Sequence, residues 1–295
     1  MKEYLSVSDF AKKWTMSERG VRNYCIRGKI PGAIIEGKTW KIPEDAELPA
    51  RINKKSETLL SRLRKEKSVH LSGGIYHKIQ IDLTYNSNHI EGSTLTHDQT
   101  RYIFETSTIG LSDGIANTDD IIETANHFRC IDFVIDNANR ELNEHFIKEL
   151  HKILKSGTHD SRQSWFKVGE YKLLPNEVGG VETTKPKDVG SEMAALIERY
   201  NSKDKTEFDD ILDFHYSFER IHPFQDGNGR IGRLIMFKEC LKNNICPFII
   251  DEKHKLFYYR GLKEWPKTKG YLRDTCLLLQ DDFKAVLDYF EILHK

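Results

Sequence analysis

Twelve consecutive residues gather one histidine, one carboxylate, three glycines and two arginines: His222-Pro223-Phe224-Gln225-Asp226-Gly227-Asn228-Gly229-Arg230-Ile231-Gly232-Arg233. His222 is the side chain best suited to take a proton near neutral pH. Asp226 is a hard oxygen ligand placed for Mg²⁺. Gly227 and Gly229 let the backbone adopt positive φ and bring N–H groups close to an anion. Arg230 and Arg233 fall a turn apart on the helix expected to follow, and both can reach phosphate oxygens. The set reads as a phosphate site with a proton acceptor beside it.

Two helical patterns must hold that loop. Upstream, Ile211, Phe214, Phe218 and Ile221 recur at steps of three and four. Pro223 pushes His222 out of the α region, so this helix should stop there. Downstream, Ile231, Leu234, Ile235 and Leu241 repeat the pattern, and the new helix N-terminus adds a partial positive charge. Far upstream, Ile75 to Glu91 reads as a helix with Ile79, Leu83 and Ile90 apolar, closing on Ser87-Asn88-His89-Ile90-Glu91-Gly92. Ser87 and Glu91 share a face, and Gly92 is a C-cap signal.

The loop residues resemble the signature of the Fic family, H-x-F-x-D/E-G/A-N-G/K-R, without departure. Fic proteins mostly transfer AMP from ATP to a hydroxyl of a target protein. The resemblance implies His222 as general base, Phe224 as the loop's anchor in the core and Asp226 as the Mg²⁺ ligand. The Gly227–Gly229 backbone and Asn228 would cradle the α- and β-phosphates. Arg230 would serve the β/γ end and Arg233 the γ-phosphate, with Ile231 and Gly232 lining the same ATP site. Ser87 to Gly92 resembles the family's inhibitory motif S/T-x-x-x-E-G/N, which implies that Glu91 pairs with Arg233 and Ser87 helps seat the helix. A carboxylate there takes the arginine's donors and repels the γ-phosphate, leaving ATP misaligned for in-line attack. The family's kinase-like member has Lys where Gly229 stands, which argues against phosphate transfer.

The chain has 295 residues, 38% hydrophobic and 31% charged, enough for one large domain or two with a real core. Its formal net charge is zero, so the whole molecule is no polyanion binder. No run of 18 apolar residues occurs, and the N-terminus lacks an apolar signal region, which points to a cytoplasmic protein with no membrane partner. Cys25, Cys130, Cys240, Cys246 and Cys276 are odd in number and scattered, and read as reduced, mostly buried thiols.

Residues 1–48 form a first domain. Ser6 or Ser8 can cap a short helix with Phe10, Ala11 and Trp14, and Ser17 a second with Val21, Tyr24 and Cys25 inward. Ala33-Ile34-Ile35 and Thr39-Trp40-Lys41-Ile42 flank a glycine turn, a hairpin signal. The segments resemble excisionase and MerR-type winged helix-turn-helix domains. To Pro43 there are nine basic residues, Lys2, Lys12, Lys13, Arg19, Arg22, Arg27, Lys29, Lys38 and Lys41, against four acidic ones. Arg19, Arg22 and Arg27 lie on the second helix, where duplex DNA would be met; a protein-docking role is the alternative.

Residues 49–72 read as a linker and a basic connecting helix with Leu59, Leu60 and Leu63, and 73–295 as the Fic domain with the inhibitory helix near 75–92. Further helices are expected over Leu95 to Phe104, Thr118 to Val134, Asn143 to Leu154 and Phe283 to Leu293, the last as core or as a dimer face. His127, His145 and His151 have no ligand-like spacing. Between Val168 and Glu182, glycines and Pro175 punctuate short extended runs. By the family resemblance this is a β-hairpin flap that clamps the target backbone, with Val178, Gly179, Gly180 and Val181 facing the nucleotide. Tyr258 and Tyr259 resemble the segment closing the adenine pocket, with buried packing as the competing reading.

The fold expected is mainly α: a Fic (Fido) helical domain with a β-hairpin flap, preceded by a small winged helix-turn-helix domain. The activity expected is protein adenylyltransfer with ATP as substrate and Mg²⁺ as cofactor, onto a target protein's hydroxyl side chain. Removal of AMP and a nucleotide-sensing DNA-binding regulator are the other readings, and a homodimer is left open.

Overall fold

The computed structural model describes residues 3–26, 28–37, 39–48, 57–110 and 115–294. They divide into two compact units, 1–55 and 56–295. Lys2, Arg27 and Lys38 of the basic surplus, and the connecting residues 49–56, lie outside the described residues.

The first unit runs β1 (Tyr4–Ser6), α1 (Val7–Lys13), α2 (Glu18–Ile26), β2 (Ile34–Glu36), β3 (Thr39–Pro43). Ser6 caps α1: its Oγ accepts from Asp9 N at 3.2 Å, while Ser6 N donates to Asp9 Oδ2 at 3.0 Å. Ser17 Oγ accepts from Gly20 N at 3.2 Å. The expected hairpin forms with Ile35 opposite Trp40, and Gly37 takes positive φ in its turn. An unexpected third strand, β1, completes the antiparallel order β1-β3-β2 with Leu5 opposite Ile42. Three residues ahead of a capped helix are too few to show alternation. Phe10, Val21, Cys25, Ile30 and Ile42 fill this small core.

The second unit is mostly helical. It runs α3 (Leu59–Ser68), α4 (Ile75–Ile90), α5 (His97–Thr106), α6 (Thr118–Asn137), α7 (Glu144–Lys155), the hairpin β4 (Glu177–Val178) and β5 (Val181–Glu182), α8 (Val189–Asn201), α9 (Phe208–Ile221), α10 (Asn228–Lys242), α11 (Lys255–Glu264) and α12 (Gly270–Tyr289). The stripe Leu59, Leu60, Leu63 of α3 packs into this unit's main core with α4 and α6. The last helix begins well before Phe283. Leu272, Cys276 and Leu279 belong to it and are buried, so its apolar face was read from only its final turns.

Within this unit α10 packs against α3, α4, α6, α7 and α9. Ile231, Leu234, Ile235, Phe237 and Leu241 face one apolar cluster; Met236 and Cys240 face another that includes Ile90, Tyr258 and Trp265. A helix buried on all sides must supply partners for each of its charges. Lys238 donates to the Arg140 carbonyl and to Glu239 Oε1 at 2.6 Å, and Tyr200 donates to Glu239 Oε2 at 3.0 Å. The two arginines at its start find theirs in the site. All five cysteines are free and buried. Among the described residues no helix is long and apolar enough to cross a membrane.

Candidate active site

α9 ends where Pro223 requires. His222 closes it at φ 52°, ψ 62°, left-handed rather than extended. Phe224 then drops into the core, fully buried and stacked on His151 with centroids 4.0 Å apart. Asn228 locks the turn: its Oδ1 accepts from Phe224 N and its Nδ2 donates to Phe224 O, both at 2.8 Å. That side chain was expected on phosphates. Its amide is engaged at both ends within the loop, so it shapes the cradle instead.

Gly227 is the residue that turns the chain into α10, at φ 81°. No side chain caps this helix start, which leaves the first-turn N–H groups of Asn228, Gly229 and Arg230 open toward the loop. Gly229 was expected at positive φ as well, but it is helical. A Cβ there would press on the Glu91 carboxylate and stand 3.0 Å from Arg233 Nη1, so a side chain at this position would displace the Glu91–Arg233 contact. Ile231 is buried in the core and its N–H donates to Gly227 O at 3.0 Å. Gly232 packs against Glu219 and the His215 ring, away from the open helix start.

The arginines are held differently. Arg233 Nη2 donates to Glu91 Oε1 at 2.7 Å and to the Ser87 carbonyl at 2.8 Å, and Nε donates to Ser87 Oγ at 3.0 Å. Glu91 caps α4, and its side chain is 31% exposed against 4% for Arg233. Arg230, expected at the β/γ-phosphates, instead donates to Glu123 and, at 3.3 Å, to Asp226 Oδ2. Lys155 joins the same group, pairing with Glu123 and with Asp226 Oδ2 at 2.5 Å. Burial pushes the Asp226 carboxyl up, but the Arg230 and Lys155 cations outweigh it and hold the group well below the usual carboxylate range. Among the described residues no cluster of three or more His, Cys, Asp or Glu is placed to hold a metal.

Burial, and then the charge of Lys172, push His222 down to about 4, so the ring is neutral at pH 7 and free to accept a proton. Its Nδ1 faces Glu219 Oε2 at 3.9 Å. Burial, reinforced by the nearby Glu91 charge, raises Glu219 to about 8.

Residues 141–240 match the model of the Fic/DOC family. A Fic domain-containing signalling protein from Bacteroides thetaiotaomicron superposes with a TM-score of 0.61 at 26% identity, covering 78% of this chain and 94% of that one. The fold is a Fic fold. A Fic family protein from Desulfovibrio desulfuricans shares it at TM-score 0.58 and 19% identity, over 80% of this chain and 74% of that one. The protein adenylyltransferase Fic of Aedes aegypti is 28% identical over 238 residues, which cover 80% of this chain and 44% of that protein. That of Nematostella vectensis is 27% identical over 184 residues, or 61% and 42%. The chain thus spans under half the length of these relatives.

Around this Fic core, the hairpin forms as expected. Val178 pairs with Val181 across Gly179 and Gly180, both at positive φ in a two-residue turn. Both valines are half exposed, and the stem is tied to the loop: Asn176 Nδ2 donates to Phe224 O at 3.0 Å, and Leu174 N to Gln225 Oε1 at 3.2 Å. Tyr258 does not stand open for a base. It is 1% exposed, and its hydroxyl meets His215 Nε2 at 2.5 Å, so buried packing is the right reading for it. Tyr259 is half exposed beside it. His127 and His151 are structural: Thr84 Oγ1 lies 2.9 Å from His127 Nδ1, and Gly169 N donates to His151 Nδ1 at 2.9 Å. The sequence reading missed Glu123, Lys155, Lys172 and Glu219. None sits in a motif, and Glu123 is 107 residues from its Arg230 partner.

Proposed function

We propose that this chain is a protein adenylyltransferase that moves AMP from ATP to a Ser, Thr or Tyr hydroxyl of a target protein, and that Glu91 restrains it. The observation that carries the reading is a neutral histidine at the left-handed end of α9 beside an uncapped helix start. The adenylyltransferase relatives support AMP as the group moved.

The target oxygen forms a bond to the α-phosphorus as the bond to the pyrophosphate oxygen breaks, and the hydroxyl proton passes to the His222 ring. The first-turn amides of α10 face the charge that develops on the phosphate oxygens. Asp226 is kept ionised and half exposed, a hard donor of the kind that holds Mg²⁺ together with substrate phosphates. When bound, that ion would neutralise phosphate charge. Arg233 is the candidate for the γ-phosphate, and Glu91 and Ser87 occupy its donors. The hairpin, with both valines half exposed, is the candidate flap for a target backbone.

Labelling of a cell lysate with an alkynyl-ATP and Mg²⁺ tests this. The full chain should label protein targets slowly, and His222→Ala should label none while still binding ATP. Equal labelling by His222→Ala would overturn the base assignment.

For the first unit we propose duplex DNA as the partner, because Arg19 and Arg22 are exposed on α2. Binding by the full chain should weaken as salt rises and fall in an Arg19→Ala, Arg22→Ala variant. No binding at low salt would leave the protein-docking reading.

A further inference from the structure

Lys172 is 3% exposed, and its ammonium has three acceptors, all neutral: Asn176 Oδ1 at 2.7 Å, Thr183 Oγ1 at 2.6 Å and the Ile221 carbonyl at 3.2 Å. A buried cation held only by neutral oxygens is expensive to keep. Burial alone lowers it to about 8, so it stays mostly charged at pH 7. What it joins explains its retention. Asn176 precedes β4 and Thr183 follows β5, so one ammonium holds both stems of the hairpin together. Ile221 is the last residue of α9, immediately before His222. The Lys172 backbone N–H also donates to Pro223 O at 2.8 Å, on the far side of His222. Asn176 and Thr183 bond to each other as well, Thr183 Oγ1 donating to the Asn176 carbonyl at 3.0 Å.

We infer that Lys172 is a positioning residue whose ammonium fastens the β4–β5 hairpin to the Ile221 carbonyl, with its backbone N–H on the Pro223 carbonyl beyond His222, so that the hairpin's register and the proton acceptor are set by one residue. The role in transfer rests on the adenylyltransferase reading above. Its charge also bears on His222, whose other titratable neighbours are the Glu91 carboxylate at the end of α4, the Asp226 carboxylate of the loop, and Glu219 of α9, which burial holds mostly protonated at pH 7. Burial does most to keep the ring unprotonated, Lys172 adds to it, and the Glu91 and Asp226 charges work against both.

The test uses the full chain and readouts that need no activity. Histidine ¹³C NMR, with His222→Ala identifying the signal, gives the ring's titration midpoint; amide hydrogen exchange gives the protection of residues 174–183. In Lys172→Met the midpoint should rise from about 4 by roughly one unit, because the cation is gone. Hairpin amides should exchange about tenfold faster or more. Lys172→Arg should keep the midpoint near that of the parent chain. Thr183→Val removes a hairpin acceptor and leaves the charge, so it should loosen the hairpin with the midpoint unmoved. In transfer assays the KM for target should rise while that for ATP holds. An unmoved midpoint and parent-like hairpin exchange in Lys172→Met would overturn the inference. So would a globally unfolded Lys172→Met together with a Thr183→Val that matches the parent. If no variant transfers AMP yet the midpoint and exchange shift as stated, the activity reading fails and the positioning role stands.

Discussion

Arg230 and Arg233 stand a turn apart on α10, both buried, and a pattern of residue types treats them alike. Their surroundings do not. Arg230 sits in a closed group of two cations and two carboxylates with Lys155, Glu123 and Asp226, all within the helical core and its loop. Arg233 leans on Ser87 and on one carboxylate that is 31% exposed at the very end of α4. The first is compensated internally and belongs to the frame. The second is held by a contact at a helix terminus, where a competing anion can arrive from solvent. Two arginines of one motif are therefore held differently, and we propose that Arg230 is the structural member and Arg233 the switchable one, divided by where each partner carboxylate is rooted.

The largest expected effect is on the frame. Glu123→Ala leaves Arg230 and Lys155 with only Asp226 between them. Removing one partner of a buried pair costs about 3–5 kcal/mol, and urea unfolding of the second unit's transition should show it. A cost under about 1 kcal/mol, the range of surface ion pairs, would erase the distinction drawn between the two arginines.

Acid should weaken both sides together. Burial lowers His127, His151 and His215 to about 3 and His222 to about 4, against an ordinary value near 6.5. Between pH 6.5 and 4 the unfolded chain binds protons at these positions and the folded chain does not, so stability falls as pH falls. Each group contributes a slope of up to about 1.4 kcal/mol per pH unit. Glu219, raised to about 8, runs the opposite way, protonated in the fold while ionised in the unfolded chain, and offsets one of the four. Denaturant midpoints at pH 7 and pH 5 measure the net loss.

The smallest stability effect should be at the switchable side. Glu91→Gly removes a half-exposed cap and one charge-assisted pair, and a loss of about 1.5–3 kcal/mol is expected, against about 3–5 kcal/mol in Glu123→Ala. Thermal melts of the two variants side by side sharpen the contrast.

Much of the site was legible because its signals are local. Pro223 after His222, the glycine before α10 and the Ser87/Glu91 spacing each act within a few residues, and the structure places them as those rules imply. Asn228 and Tyr258 show the limit: their types suit phosphate or base contact, but only the fold reveals that one locks a turn and the other is buried against His215. Glu123, Lys155 and Lys172 were invisible for a related reason. Each has a partner 49 or more positions away, and nothing in a surrounding stripe of charge marks which lysine will be buried.

The central claim is that the Glu91 carboxylate restrains transfer by holding Arg233. The direct measurement is labelling with alkynyl-ATP and Mg²⁺ by the parent chain, Glu91→Gly, and Glu91→Gly combined with Arg233→Ala. Releasing one charge-assisted pair is worth on the order of 1.5–3 kcal/mol, or about one to two decades in rate. Glu91→Gly should therefore label at least tenfold faster, and the double variant should lose the gain. A Glu91→Gly no faster than the parent would contradict the account, and one that is slower would assign Glu91 to the reverse chemistry, removal of AMP.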